Sequence, residues 1–179
     1  MTGASGVIYG KRLLEVLKGK NEIHLIISRA CETLIEYELK TTKKELEGLA
    51  DFIHREDDFS SPLASGSFII DAAVIIPCSM KTLAGIAHGY SENLILRAAD
   101  VTLKERRKLI LVPRETPLSP VHLRNLLQLS KQGVFIVPAM PAFYSQPKTV
   151  EEMVDFVVGK VLDALGLEHQ LYTRWHGDT

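Results

Sequence analysis

Arg97-Ala98-Ala99-Asp100-Val101-Thr102-Leu103-Lys104-Glu105-Arg106-Arg107-Lys108-Leu109-Ile110-Leu111-Val112-Pro113-Arg114-Glu115-Thr116-Pro117-Leu118-Ser119-Pro120 is the stretch on which the fold turns. Its first half is helix-like and carries Arg97, Lys104, Arg106 and Arg107. Leu109 to Val112 then make a short aliphatic run stopped by Pro113, which predicts a strand buried on both faces, as in a parallel sheet. Arg114 and Glu115 follow at once. Ligands of open α/β sheets sit in the crevice just past the strand C-termini. A guanidinium and a carboxylate placed there predict a site for a phosphorylated ligand. The plainer reading of the pair is a surface ion pair of little energetic weight.

The same alternation extends outward in both directions. Ile23 to Ile27, Asp71 to Ile76 and Val134 to Val137 read as further buried strands, with a short one at Phe52-Ile53. Helices are predicted over 7–17, 29–39, 80–88, 91–107, 119–132 and 150–165, with a helical turn at 43–49, while residues 60–67 read as a loop. Strands alternating with helices predict a single α/β domain over residues 1–179 built on a doubly wound parallel sheet. One element of that pattern is missing. Gly3-Ala4-Ser5-Gly6 is a small-residue turn feeding a helix, with backbone N–H groups suited to a phosphate, yet no strand precedes it. Either the sequence starts short of that strand or the sheet lacks one central strand.

The 179 residues carry a net charge of −1, 46% hydrophobic and 24% charged side chains, which excludes a field drawing in nucleic acid or an anionic membrane. No apolar run approaches the about 20 residues of a membrane helix. Cys31 and Cys78 match no metal spacing, and a reduced, cytoplasmic setting is expected.

Most candidate site residues have an ordinary reading beside the functional one. Ser28 and Ser79 fall at strand-to-helix junctions, where serine caps helices. Arg97 and Lys104 share one helix face and read as a solvated stripe. Tyr144 in a proline-rich loop reads as a packing residue. Lys160, inside the apolar run Val157 to Val161, either snorkels to water or meets an anion. Cys78 reads as a buried structural thiol, and His169 and His176 as parts of a mobile tail.

Taken as a set, certain segments carry a resemblance. T-G-A-S-G at 2–6, S-P-L-A-S-G-S at 61–67, P-C-S-M-K-T-L-A-G-I-A-H-G at 77–89, R-A-A-D-V-T-L-K-E-R-R at 97–107, L-V-P-R-E-T-P at 111–117, P-A-M-P-A-F-Y at 138–144 and the closing L-Y-T-R-W resemble the UbiX-type flavin prenyltransferases. The likeness spans nearly the whole chain and departs only in lacking the strand before T-G-A-S-G. It implies a three-layer, flavodoxin-like Rossmann fold assembled as a homododecamer with sites at subunit junctions. It implies transfer of a dimethylallyl group from dimethylallyl phosphate to reduced FMN without a metal, the prenylated FMN serving UbiD-type decarboxylases. Position by position, it assigns FMN binding to Gly3, Ala4, Ser5, Ser28, Ser79, Met80, Lys81, Thr82 and Arg114. Tyr144 and Lys160 fall to the allyl phosphate, and Glu38, Arg97, Lys104 and Glu115 to the charged surroundings of the reacting centre. Ser5 and Glu115 are the expected proton-steering groups near flavin N5. The position of Lys160 accepts arginine among relatives, which keeps the cation but changes its geometry.

Two alternatives stand beside this reading. An FMN-dependent cysteine decarboxylase of the same fold would resemble S-A-N-T where this chain has Ser79-Met80-Lys81-Thr82. A non-catalytic FMN carrier would bind flavin and leave it unchanged.

Overall fold

The computed structural model describes residues 1–175 and 177, so His176 lies outside the described residues. In chain order the elements are α1 (Val7–Leu17), β1 (His24–Ile26), α2 (Arg29–Leu39), α3 (Lys43–Glu47), β2 (Phe52–His54), a 3-10 turn (Pro62–Ala64) and β3 (Ala72–Cys78). After them come α4 (Met80–Ala87), α5 (Leu94–Lys104), β4 (Lys108–Pro113), α6 (Pro120–Lys131), β5 (Phe135–Ile136) and α7 (Val150–Leu165). Every strand pair is parallel.

Strand β4 is apolar without interruption because both its faces are covered. Leu109 and Leu111 pack with Leu83 and Ile86 of α4, Ile95 and Leu96 of α5 and Leu129 of α6. Ile110 and Val112 point the other way, onto Leu13 of α1 and Val154, Val157 and Val161 of α7. Each such burial contributes about 1.5–3 kcal/mol. The sheet is thus the middle of three layers, as expected. Side chains of Ser28, Thr42, Ser79, Asn93, Ser119 and Thr149 cap the helices that follow them, so the ordinary reading of Ser28 and Ser79 is realised.

Several boundaries differ from the sequence expectation. Strand β3 runs on through Pro77 to Cys78, with a register shift after Ile75 that accommodates a residue with no N–H to give the ladder. The helix expected over 91–107 begins only after its Asn93 cap and stops at Lys104. Arg106 is left-handed at φ 55° and Lys108 already belongs to β4, so the basic run is split between three conformations. The strand expected at 134–137 shrinks to two residues, and Phe135 is 46% exposed because β5 is the sheet edge.

Among the described residues the sheet is in two pieces. Strands β2-β1 form one piece and β3-β4-β5 the other. Met1 and Thr2 join them at one end only. Met1 N donates to Ile26 O (2.7 Å), Ser28 N donates to Met1 O (3.1 Å) and Thr2 N donates to Pro77 O (3.2 Å). Thr2 Oγ1 also donates to Pro77 O (2.9 Å) and accepts from Ser79 N (2.8 Å). Below this clamp a slot of about 460 Å³ separates β1 from β3, walled by Leu25, Ile26, Val74, Ile75 and Ile95. The strand order is β2-β1-slot-β3-β4-β5, and the chain reverses its direction of travel across the sheet at the slot.

Among the described residues the backbone edges on both sides of the slot have no strand partner, so an inserted strand would be hydrogen-bonded along two ladders. A chain extended ahead of Met1 by six Ile and Val residues is expected to unfold several degrees higher, at about 2–4 °C per kcal/mol for this size. It should also exchange its Ile26 and Val74 amide protons more slowly. Unchanged exchange at both positions would exclude insertion.

Candidate functional site

Parallel strands place all their C-termini on one side of the sheet, and the segments that follow them gather there. The Gly3–Gly6 turn follows directly on Thr2, which is held by its contacts to Pro77 and Ser79. Ser28 follows β1, Ser79 follows β3, and Arg114 follows β4, with Arg114 Nε donating to Ser5 O (3.2 Å). Gly3, Ala4, Ser5, Ser28, Ser79 and Arg114 therefore share one crevice at the point where the strand order reverses. Ser79 Oγ accepts from Thr82 N (3.3 Å) and donates to Thr82 Oγ1 (3.1 Å), which ties Thr82 and the first turn of α4 to the same spot. Met80 sits half-buried in that turn. Lys81 is 80% exposed and its ammonium reaches Glu92 (3.4 Å).

The turn itself differs from the expected cradle. Gly6 N and Val7 N, the amides that open α1, both donate to Glu38 Oε2 (2.9 and 3.0 Å). A carboxylate from the end of α2 occupies the positive end of α1, as the partial charges there favour. These two N–H groups are consequently not available to a phosphate, and Glu38 holds the turn in place. Gly3 is required by packing, since a Cβ would lie 2.6 Å from Ala30 Cβ. Gly6 is required by its left-handed φ of 100°. Amides of Gly3 and Ser5 make no hydrogen bond among the described residues.

Two further groups stand apart from the crevice. Arg97 and Lys104 lie on α5, on the sheet face opposite α1 and α7. Arg97 Nε donates to Ala64 O (3.0 Å) and its Nη1 to Asp100 (2.8 Å), while Lys104 pairs with Glu105. Tyr144 and Lys160 belong to the β5 edge. Tyr144 Oη donates to Thr173 O (3.3 Å), and Lys160 Nζ donates to Asp163 Oδ2 (3.2 Å). Lys160 thus meets an internal anion. Lining the nearby pocket of about 500 Å³ are Val137, Pro138, Met140, Lys160 and Asp163. No hydrogen bond or ion pair among the described residues joins the crevice, the α5 pair and the β5-edge pair. Glu115 is exposed at the crevice rim, accepting from Thr116 N (3.2 Å).

Sequence reasoning missed Thr2 and Asp163. Thr2 was one letter of a motif; its burial and double hydrogen bond are visible only in the fold. Asp163 had a signal, a carboxylate three residues from Lys160 on a helix. The thiols of Cys31 and Cys78 are buried, and burial pushes them up to about 11 and about 12, so neither is an available nucleophile.

An open parallel sheet with a polar crevice at its switch point, lined by backbone amides, hydroxyls and one guanidinium, is the arrangement of a flavoprotein. The Flavoprotein family model matches residues 1–162. The flavin prenyltransferase UbiX of Methanocaldococcus jannaschii is 55% identical over 175 residues, covering 98% of this chain and 95% of that protein. Two solved structures superpose with a TM-score of 0.97. One is the dodecameric FMN-dependent UbiX-like decarboxylase of Escherichia coli O157:H7, at 51% identity and covering 99% of this chain and 97% of the other. The second is AnUbiX (PadA1) in complex with FMN and dimethylallyl pyrophosphate, at 44% identity and covering 100% and 96%. This chain belongs to the UbiX flavin prenyltransferase family.

Glu38→Ala is expected to destabilise the protein by about 1–2 kcal/mol, through loss of the two amide contacts at the start of α1. Glu38→Gln, which keeps an acceptor but no charge, should recover part of that loss. Equal thermal unfolding of wild type and Glu38→Ala would rule out the capping role.

Proposed function

We propose that the chain is a flavin prenyltransferase, moving a dimethylallyl group from dimethylallyl phosphate to N5 and C6 of reduced FMN. The observation that carries this reading is the convergence of Gly3–Ser5, Ser28, Ser79 and Arg114 on one crevice, in a fold that matches along its full length a relative solved with FMN and dimethylallyl pyrophosphate. The donor set fits FMN. Backbone amides of Gly3 and Ser5, the hydroxyls and the guanidinium suit a planar polar ring with an anionic tail, with Met80, Lys81 and Thr82 along the α4 side. When bound, reduced FMN supplies the nucleophilic nitrogen and the ring carbon at which the product closes.

The residues of the chain do the rest. An allylic phosphate departs as an anion, so cations must stand around its oxygens as the C–O bond breaks. Arg97, Lys104, Arg114 and Lys160 supply charge and Tyr144 a hydroxyl donor. Ser5 and Glu115, on either side of the Arg114 contact, steer protons near the reacting nitrogen. One protomer does not gather these groups. The crevice, the α5 pair and the β5-edge pair are brought together in this reading between neighbouring copies of a homo-oligomer, a dodecamer like the Escherichia coli relative. The product leaves for a UbiD-type decarboxylase, in a reduced, cytoplasmic compartment consistent with two free, buried thiols.

The cysteine decarboxylase reading is disfavoured at Ser79-Met80-Lys81-Thr82, which has no asparagine to serve such an enzyme. Incubation with reduced FMN and dimethylallyl phosphate is expected to release phosphate and yield a flavin heavier by one C5 unit on mass spectrometry. A flavin of unchanged mass would favour the carrier. Lys160→Ala or Tyr144→Phe should weaken use of the ester while FMN still binds; loss of FMN in both variants would overturn this division of roles.

A further inference from the structure

Asp163 lies three residues beyond Lys160 on α7, and four side chains converge on its carboxylate. Lys160 Nζ donates to Oδ2 (3.2 Å), Tyr172 Oη to Oδ2 (2.5 Å) and Arg174 Nη2 to Oδ1 (2.7 Å), with His169 Nε2 3.0 Å from Oδ1. Three of the four come from the segment that follows α7, where the sequence predicts a mobile tail around His169. Instead the His169 side chain is only 3% exposed.

Helix α7 is shaped to receive that segment. Gly159 faces it, and a Cβ there would lie 2.5 Å from Tyr172 Cδ1 and 2.8 Å from His169 Cε1. Any side chain at 159 would push the rings off the helix. Phe156 continues the seat, with ring centroids 5.0 Å from Tyr172 and 6.1 Å from Tyr144. From this seat Thr173 O takes the Tyr144 hydroxyl, and the Trp175 ring meets Tyr144 edge-on at 5.7 Å. One carboxylate therefore touches Lys160 directly and reaches Tyr144 through the docked segment.

We propose that Asp163 is the positioning residue for the ester-binding half of the site, fixing Lys160 directly and Tyr144 through residues 169–175. The inference deepens the function proposed above and rests on it for the identity of the ligand. Charge explains why the anchor is an aspartate. Lys160 and Arg174 are two cations brought close together, and an apolar anchor would leave them to repel each other and turn out to solvent. A single carboxylate holds both cations and still leaves the pair one unit positive, a sign suited to an anionic ester. Its ionised form is secure: burial alone would raise the Asp163 carboxyl, but hydrogen bonds from Arg174, Tyr172, His169 and Lys160 together hold it well below the usual carboxylate range.

The test is a pair of readouts on the full-length chain. In turnover assays, Asp163→Ala is expected to raise KM for dimethylallyl phosphate about tenfold or more, with the Kd for FMN changed less than twofold. Asp163→Glu, which restores the carboxylate, should recover most of the loss, and Tyr172→Phe should show a smaller shift in the same direction. Without any substrate, trypsin should cut after Arg174 much faster in Asp163→Ala than in wild type. Emission of Trp175, the single tryptophan of the chain, should move to the red in the same variant. An unchanged KM, or parallel loss of FMN and ester affinity, overturns the positioning role. So does a segment that stays protected from trypsin in Asp163→Ala. Should wild type fail to prenylate FMN, the proposed function falls, and the trypsin and fluorescence arms still decide whether Asp163 anchors the segment.

Discussion

Thr2 carries the connection on which the rest of the molecule depends. Its backbone N–H and its hydroxyl both reach Pro77 O, and the same hydroxyl receives Ser79 N. With Met1 bridging to Ile26 and Ser28, these contacts hold two sheet fragments side by side above an apolar slot. A buried hydroxyl that donates once and accepts once leaves no polar atom unsatisfied. Most of the crevice is positioned by this clamp, because the Gly3–Gly6 turn starts from it and the Ser28 and Ser79 caps are bonded to it. A shift of the fragments against each other would move two walls of the crevice at once.

The crevice is a product of topology more than of any one side chain. Travel across the sheet goes from β1 outward to β2, then returns past the slot to β3, β4 and β5. Helices linking strands along the two directions lie on opposite faces, α1 on one and α4 to α6 on the other, and the terminal α7 packs on the α1 face. They leave an opening where the directions part, and small residues line it because the backbone has to come close to whatever binds. The same topology separates the cations. Helix α5 and helix α7 lie on different faces, so Arg97 and Lys160 do not meet within one chain.

Local chemistry made much of this legible from the sequence. The unbroken apolar run at Leu109 to Val112 announced a strand covered on both faces, and the caps at Ser28 and Ser79 marked helix starts. What stayed hidden depends on distant partners. Glu38 enters the sequence reading only through the resemblance, and nothing local tells that it reaches the start of α1, thirty-two positions back. Val134 to Val137 looks as apolar as the central strands, but the order of strands leaves β5 at the edge. His169 reads as a tail residue because three polar contacts and a missing Cβ at Gly159 have no signature in composition. Pattern reports burial; it does not report which carboxylate finds which cation.

A feature of the charges bears on how an anion binds here. Most of the candidate cations already have an acid beside them: Lys81 with Glu92, Arg97 with Asp100, Lys104 with Glu105 and Lys160 with Asp163. Among the described residues Arg114 is different, its guanidinium meeting a backbone carbonyl and no carboxylate. Exposed ion pairs of this kind are worth about 0–1 kcal/mol, whereas a hydrogen bond to a charged group at a desolvated site is worth about 1.5–3 kcal/mol. A phosphate could therefore displace Glu92, Asp100 or Glu105 at little cost, whereas Asp163, gripped by four side chains, stays in place. In its absence the acids keep the cations folded back and limit repulsion between like charges. Arg114 needs no such release, which suits it to be the fixed point from which a phosphorylated ligand is oriented while the paired cations adjust around it.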